Sequence, residues 1–303
     1  MNLDYMPIPD TTLGCDFSGT IEDIGSNVTK KWSKGDRVSG WVLQNNIVQK
    51  DEGSFAEYVV ANGDICMRIP GGMSDEEAAT SGGGVATVGM GLCRNLGVPL
   101  PGEGEGGKRE SVLIYGGTSA TATLAIQFAK LAGYDVITTC SARSFDHVKS
   151  LGASEAFDYK DADCAAKIRQ YTQDRLTKVF DTIAKDSSPQ ICAAAVSSKG
   201  GVVSSTLPYP ADFGRSDIEA KMTLSLAVFG KEYGYGEQVF PGNPPDFEYG
   251  KKLYAIAEKL LHEGKLKVHT PKISNTGLEG VLNEGLEMMK AGKAGGVKLV
   301  YKL

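Results

Sequence analysis

The chain has 303 residues, 41% of them hydrophobic and 23% charged, a globular composition with room for one large domain or two of ordinary size. A formal charge of −5 with no long run of Lys or Arg argues against nucleic acid or an anionic membrane surface as a partner. No apolar run reaches membrane-span length, and the start "MNLDYMPIPD" lacks the basic and apolar regions of a secretory signal, so a cytoplasmic location is expected.

From Gly14 to Pro70, "FSGTIEDIG", "GDRVSGWV" and "SFAEYVVA" alternate partly apolar and polar residues between Gly, Asp and Ser, and are predicted to be short strands of an antiparallel barrel. Ser74, with Glu77 three residues on, forms a capping-box pattern that opens the helical stretch "SDEEAATSGGGVATVGMGLCRNLG", ending near Gly97. "PLPGEGEGGKRES" reads as a solvated loop. Beyond it strands and helices alternate. "SVLIY" is a buried strand, the next helix carries Leu124, Phe128 and Leu131 on one stripe, and "DVITTC", "TKVFDTI" and "GGVVSS" are further strands. That alternation predicts an α/β fold with a doubly wound parallel sheet of Rossmann type. "KEYGYGEQVFPGNPPDFEYG" interrupts it as an aromatic insert rich in Pro and Gly. Two amphipathic helices follow, striped by Leu253, Ile256, Leu260 and Leu261 and then by Leu278, Val281, Leu282 and Leu286. "VKLVYKL" closes the chain as a strand.

The six cysteines, Cys15, Cys66, Cys93, Cys140, Cys164 and Cys192, form no Cys-x-x-Cys pair, and none of His147, His262 and His269 has a ligand at i+4. Reduced, buried thiols and no metal are expected.

"YGGTSATATLAIQFAKLAGYDV" is a strand end, a Gly-rich turn and a helix, the layout of a dinucleotide-binding turn in which the backbone must approach a pyrophosphate. Gly116 supplies the tight turn, Ala120 and Ala122 permit close helix–sheet packing, and Thr118, Ser119 and Thr121 add hydroxyls in reach of a phosphate or substrate oxygen. For the motif by itself, simple strand–helix packing stays open as the alternative. The next strand ends in "SARS", with no carboxylate where an NAD site places one for the ribose 2′-hydroxyl. Arg143, the flanking Ser141 and Ser144, and Lys149 one or two helical turns on suit a 2′-phosphate instead. NADPH is therefore the expected cofactor, a solvated loop charge being the other reading of Arg143.

With these residues in place, the chain resembles the medium-chain dehydrogenase/reductase superfamily over essentially its whole length. "GCDFSGTIEDIGSNVTKKWSKGDRV" is similar to that superfamily's barrel signature, with Cys15-Asp16 where zinc alcohol dehydrogenases carry His-Glu. Through "YGGTSATAT", "CSARSFDHVKSLGASEAFDY", "VFDTIA" and "GKAGGVKLVYKL" it more closely resembles the fungal trans-acting enoyl reductases that serve polyketide synthases. The resemblance implies a zinc-independent enzyme whose Rossmann-type sheet is joined to a GroES-like antiparallel barrel. That barrel is expected to be truncated at its N-terminus, because family members carry a longer segment before the Gly-Cys-Asp motif, and low solubility or self-association and slow turnover are expected with it. The implied domains are residues 1–90 (partial GroES-like), 91–250 (NADPH-binding) and 251–303 (helices and a final strand returning to the catalytic domain).

By position, the resemblance implies that Thr118, Ser119, Ala120, Thr121, Ser141, Ala142, Arg143 and Ser144 bind NADPH and that Tyr159 lines the adenine pocket. Thr206, Leu207, Gly296 and Val297 would close over the nicotinamide. Two segments would contact substrate, with core packing as the alternative for each: Gly83, Gly84, Val85, Ala86, Thr87, Val88, Gly89 and Met90, and Ala227, Val228, Phe229, Gly230 and Lys231. No general acid stands out; Ser81 and Thr87 mark the region where one is expected. The implied reaction delivers hydride from NADPH to the β-carbon of an α,β-unsaturated thioester. The implied partner is a polyketide synthase or its acyl carrier domain, and a complete chain would be a monomer. Two other readings remain open: a zinc-free quinone or enone reductase of free small molecules, and a non-catalytic remnant that binds nucleotide or a partner.

Overall fold

The computed structural model describes residues 8–104, 110–210, 213–235 and 238–303, so part of the "PLPGEGEGGKRES" loop and of the aromatic insert lies outside the described residues. The chain forms two compact units, one from Met1–Ala86 with Leu226–Leu303 and the other from Thr87–Ser225. In the first unit, β1 (Asp16–Thr20), β2 (Arg37–Trp41) and β3 (Met67–Arg68) make an antiparallel sheet in that order. Helix α1 (Asp75–Ala78) starts on the predicted capping box: Ser74 Oγ accepts from the Glu77 N–H at 3.1 Å, and a Glu77 carboxylate oxygen accepts from the Ser74 N–H at 2.9 Å. Helix α2 (Gly82–Val88) then packs bare backbone on the sheet, since a Cβ on Gly82 would lie 2.2 Å from the Gly40 carbonyl oxygen.

The second unit begins at Thr87, within the last turn of α2, and continues through a π-helical stretch, Gly89–Asn95. It is followed by β4 (Ser111–Tyr115), α3 (Ala120–Leu131), β5 (Asp135–Cys140), α4 (Phe145–Ser150), β6 (Glu155–Asp158), α5 (Cys164–Tyr171), β7 (Lys178–Asp181), α6 (Ser188–Ala195), β8 (Gly201–Ser205) and β9 (Ile218–Met222). The strands pair in parallel in the order β6-β5-β4-β7-β8-β9, the doubly wound sheet that the alternation predicts. Val112, Leu113, Ile114, Val136 and Ile137 are fully buried, as strands covered on both faces require. The helix stripe is broader than predicted. Every residue of α3 from Ala122 to Ala129 is buried, while Leu131 is exposed at its end.

Beyond Ser225 the chain rejoins the first unit with the hairpin β10 (Tyr233–Tyr235) and β11 (Gln238–Phe240) and the long helix α7 (Pro244–His262). Strand β12 (Pro271–Ser274), the short helices α8 (Gly277–Gly280) and α9 (Leu286–Lys290) and the final strand β13 (Lys298–Tyr301) complete it, β12 and β13 pairing in parallel. The boundary expected at residue 250 does not hold: it would cut α7, and Gly250 packs against the Val228 carbonyl, where a Cβ would come within 2.8 Å.

Two other expectations need correction. "SFAEYVVA" forms bends rather than a strand. Among the described residues, the N–H groups of Ser54 and Phe55 donate to the Gly14 and Leu13 carbonyls, and beyond them no described strand lies alongside to pair. Tyr58 and Val60 are consequently 71% and 91% exposed. In the last helical region, α8 and α9 flank a π-helical stretch, Val281–Gly285, which shifts the period; Val281 is buried but Leu278 and Leu282 face solvent. Phe17, Tyr58, Val60, Leu278, Met289 and Tyr301 line an open groove of about 1350 Å³ within this unit. Among the described residues, no helix is long and apolar enough to cross a membrane.

Tyr254 is fully buried in α7 and its hydroxyl donates to the Gly82 carbonyl at 2.8 Å, tying α7 to the start of α2. Tyr254→Phe keeps the ring and removes that hydrogen bond. A loss of about 1–2 kcal/mol in urea unfolding monitored by circular dichroism is expected.

Candidate functional site

In the parallel sheet the chain adds β5 and β6 on one side of β4 and β7, β8 and β9 on the other. The order of growth reverses between β4 and β7, where Tyr115 and Asp181 are register partners. Loops leaving the two strands at such a point diverge and open a crevice at their carboxyl ends. Gly116 leaves β4 with φ +82°, and a Cβ there would lie 2.4 Å from Ile183 Cγ1. Gly117 is as crowded, its Cβ position 2.3 Å from Thr138 Oγ1. The Gly116 and Gly117 N–H groups bond back to Thr139, at 3.1 Å to its hydroxyl and 2.8 Å to its carbonyl. Only glycines let the turn lie this flat over the sheet before α3 begins.

The hydroxyls of the turn divide into two kinds. Ser119 is the N-cap of α3, its Oγ accepting from the Ala122 N–H at 3.0 Å. Thr182 Oγ1 donates to the Tyr115 carbonyl at 2.8 Å, so the 2.8 Å contact between Ser119 Oγ and Thr182 Oγ1 takes the Ser119 proton. The Ser119 hydroxyl is thus a structural cap rather than a donor open to a ligand. Thr118 and Thr121 are half-buried and their hydroxyls bond to none of the described residues, while Ala120 sits half-buried in the first turn. Together with the free N–H groups at the start of α3, they suit a phosphate at the positive end of a twelve-residue helix.

At the exit of β5, Ser141, Ala142, Arg143 and Ser144 form a short 3-10 turn leading into α4. Arg143 is exposed and pairs with no described residue, and neither serine caps the helix that follows it. The nearest carboxylate in the ladder is Asp158, register partner of Cys140, with one oxygen accepting from the Lys160 N–H at 3.0 Å. Tyr159 follows it, 40% exposed, with Lys160 Nζ 5.9 Å from its ring centre. Lys149, by contrast, is engaged with Glu155 at 2.7 Å. A guanidinium, two hydroxyls and an exposed aromatic ring therefore share one end of the sheet, a donor set that fits a phosphorylated adenosine.

Two family models match the chain: alcohol dehydrogenase GroES-like domain over residues 2–71 and zinc-binding dehydrogenase over residues 120–237. The trans-enoyl reductase ACTTS2 of Alternaria alternata is 41% identical over 295 residues, which cover 97% of this chain and 84% of that protein. The chain belongs to the medium-chain dehydrogenase/reductase superfamily. The trans-enoyl reductase TOXD of Cochliobolus carbonum is 42% identical over 245 residues, 81% of this chain and 82% of its own. Among solved structures, CurK enoyl reductase aligns with a TM-score of 0.72 at 19% identity, covering 96% of this chain and 80% of that one. A quinone oxidoreductase of Pseudomonas syringae gives 0.69 at 21%, covering 97% and 83%. At these identities the structural likeness is one of fold. Oxidoreductases of this superfamily use nicotinamide cofactors.

The remaining residues singled out by resemblance to the superfamily divide by burial. In the first substrate segment, Val85, Ala86 and Val88 are fully buried and Gly89 and Met90 are buried, whereas Gly83, Gly84 and Thr87 are half-buried along one helix face. Ser81 is fully buried and spends its proton on the Ala78 carbonyl at 2.9 Å, which leaves Thr87 as the more accessible hydroxyl. In the second, Val228 and Phe229 are core, Phe229 packing on Trp41 with ring centres 4.9 Å apart, and Lys231 pairs with Glu52. Ala227 and Gly230 are half-buried. Thr206 and Leu207 leave the carboxyl end of β8, the Thr206 N–H donating to the Asp181 carbonyl at 3.1 Å. Gly296 and Val297 belong to the other unit, at the start of β13.

At the position of the superfamily's His-Glu pair, Asp16 accepts from the Gly83 N–H at 2.6 Å and pairs with Lys298 Nζ at 2.5 Å. That carboxylate joins β1, α2 and β13. Beside it, burial and the Asp16 charge push the Cys15 thiol up to about 12. Burial raises Cys66 to about 12 as well, and Cys140 and Cys164 to about 11. Among the described residues, no group of three or more His, Cys, Asp or Glu side chains is arranged to hold a metal ion.

The neutral thiol is the favoured form, so alkylation of Cys15 in the folded chain at pH 8 should run about a thousandfold more slowly than for a thiol of pKa 9.0. The linkage has a definite sign. Because the folded thiols titrate above an exposed thiol's 9.0, their contribution to stability is intact below pH 9 and falls as the pH rises from 9 towards 12. Iodoacetamide kinetics with mass-spectrometric readout and alkaline unfolding curves measure the two effects.

Proposed function

We propose that the protein is an NADPH-dependent enoyl reductase acting on α,β-unsaturated thioesters carried by the acyl carrier domain of a polyketide synthase. The observation that carries this reading is the exit of β5, where an unpaired Arg143 stands between two uncommitted serines, in a chain 41% identical to a trans-enoyl reductase. A carboxylate in that place would repel a 2′-phosphate; a guanidinium receives it through paired N–H donors.

Within this reading the α3 terminus with Thr118 and Thr121 binds the pyrophosphate, Ser141, Arg143 and Ser144 the 2′-phosphate, and Tyr159 flanks the adenine. Thr206, Leu207, Gly296 and Val297 serve the nicotinamide end. NADPH, held by Thr118, Thr121, Ser141, Arg143 and Ser144, would supply the hydride for the β-carbon of the enoyl thioester, with a proton for the α-carbon balancing the reduction to the saturated thioester and NADP⁺. The face formed by Gly83, Gly84 and Thr87 lies along the substrate. Thr87 is the hydroxyl assigned to the developing oxyanion or to the proton path, and the two glycines admit the acyl chain.

NADPH should bind at least tenfold more tightly than NADH, about 1.4 kcal/mol, and Arg143→Ala should erase most of that difference in a fluorescence titration. NADPH oxidation should follow the addition of crotonyl pantetheine and be faster still with a carrier-bound enoyl chain. Turnover of free quinones or enones with none on the thioester would favour the free-substrate reading. Tight NADPH binding without turnover of either would favour a nucleotide-binding remnant.

A further inference from the structure

"VFDTIA" distinguishes the sequence, yet none of its residues has a place in the cofactor reading above. Its aspartate, Asp181, is fully buried at the carboxyl end of β7, on the strand pair where the sheet reverses. Four donors converge on it. One oxygen accepts from the Ile183 and Ala184 N–H groups, both at 2.9 Å. The other accepts from the Ser188 hydroxyl at 2.6 Å and the Tyr209 hydroxyl at 2.7 Å. The first pair of bonds folds residues 182–184 into a tight turn that places Ala184 at φ +54° and sets Ile183 over Gly116. The bond from Ser188 anchors the start of α6. Tyr209, however, belongs to a different connection, the segment that leaves β8.

That segment reads Thr206-Leu207-Pro208-Tyr209-Pro210. Its two prolines fix their own φ and restrict the residues before them, Leu207 and Tyr209, so a constraint at Tyr209 reaches Leu207 with little slack. At its near end the segment is tied by the Thr206 N–H to the Asp181 carbonyl and by Ser205 Oγ to the Leu207 carbonyl at 2.8 Å. At its far end the Tyr209 ring meets Phe213 edge-on at 5.5 Å and packs on the core formed by Val203, Ile218 and Cys192. Burial, with the neighbouring Cys192 and Asp181, holds the phenol proton far above its ordinary range, so the hydroxyl remains a donor. Between these ties, Leu207 is 38% exposed at the carboxyl end of the sheet.

We infer that Asp181 and Tyr209 are positioning residues: their hydrogen bond fixes the Thr206–Leu207 segment against the β4–β7 reversal and so sets the seat of the nicotinamide end of the cofactor. The inference rests on the NADPH reading above, in which Thr206 and Leu207 serve that end. It separates the two halves of the dinucleotide, because the adenine half meets residues at the exits of β4, β5 and β6, none of which bonds to Tyr209.

The test compares two probes on the whole chain, NADPH and adenosine 2′,5′-bisphosphate, which carries the adenine half alone. Tyr209→Phe keeps the ring and its packing and removes only the hydroxyl. NADPH should bind about five- to tenfold more weakly to it, with adenosine 2′,5′-bisphosphate unchanged within about twofold. Asp181→Asn, with one acceptor fewer, should show the same split at larger size, or fail to fold and leave Tyr209→Phe to decide. Equal loss for both probes would mean that Tyr209 merely supports the whole unit, and no loss for either would mean that the segment is held without it. Each of those results overturns the inference while the NADPH reading stands. Failure of the unaltered chain to bind either probe would instead defeat the NADPH reading and the inference with it.

Discussion

Where β4 and β7 lie side by side, consecutive growth of the sheet changes direction, and every other feature of the second unit accommodates that reversal. Two connections must leave adjacent strand ends in opposite senses without colliding. The chain solves this with bare backbone on one side, Gly116 and Gly117, and a side-chain knot on the other, Asp181 with its four donors. The two solutions meet physically. Ile183, folded over by Asp181, occupies the space that a Cβ on Gly116 would need, and Thr182 links the Tyr115 carbonyl to the hydroxyl that caps α3. The Gly116 turn is therefore packed against a loop whose shape is set by the carboxylate of the neighbouring strand.

The second unit was legible in the sequence because its central strands are buried on both faces and so appear as largely apolar runs between turn residues. "SVLIY" and "DVITTC" became β4 and β5 within a residue of expectation. The first unit was less legible for the converse reason. A half-buried strand declares itself by alternation, but alternation states only a preference for pairing and cannot supply the partner. "SFAEYVVA" has the pattern, and with no described strand beside it the backbone bends instead. The region after Thr276 failed differently: spacings of three and four assume a period of 3.6, and the π-helical stretch in its middle breaks that assumption, turning Leu282 outward.

Site residues followed the same division between local and long-range causes. The place of Arg143 could be read from sequence, because it depends only on where one strand ends and on which residue types follow. Ser119 looked like a ligand donor for a comparable reason, small and polar at a helix start, but that chemistry also makes the best N-cap, and the cap is what the fold uses. Ser81 likewise returns its proton to its own helix turn. Asp181 and Tyr209 carried no readable signal at all. They are 28 positions apart in sequence, and only the β7–β8 register brings the phenol to the carboxylate.

The two ends of the proposed nucleotide site are consequently built from different physics. At the β5 exit Arg143 is exposed, charged and unpaired among the described residues, so its attraction for an anion is long-ranged and screened by salt. At the β7 exit the Asp181 carboxylate and the Ser188 and Tyr209 hydroxyls satisfy one another. They have no valence left for a ligand, and their contribution is geometric: four hydrogen bonds in a site away from water hold two loops in one arrangement. A carboxylate so saturated is poorly suited to proton transfer and well suited to holding position. In the proposed site, recognition of the charged half would thus rest on a single surface residue, Arg143, while the crevice beside β4 and β7 keeps its shape.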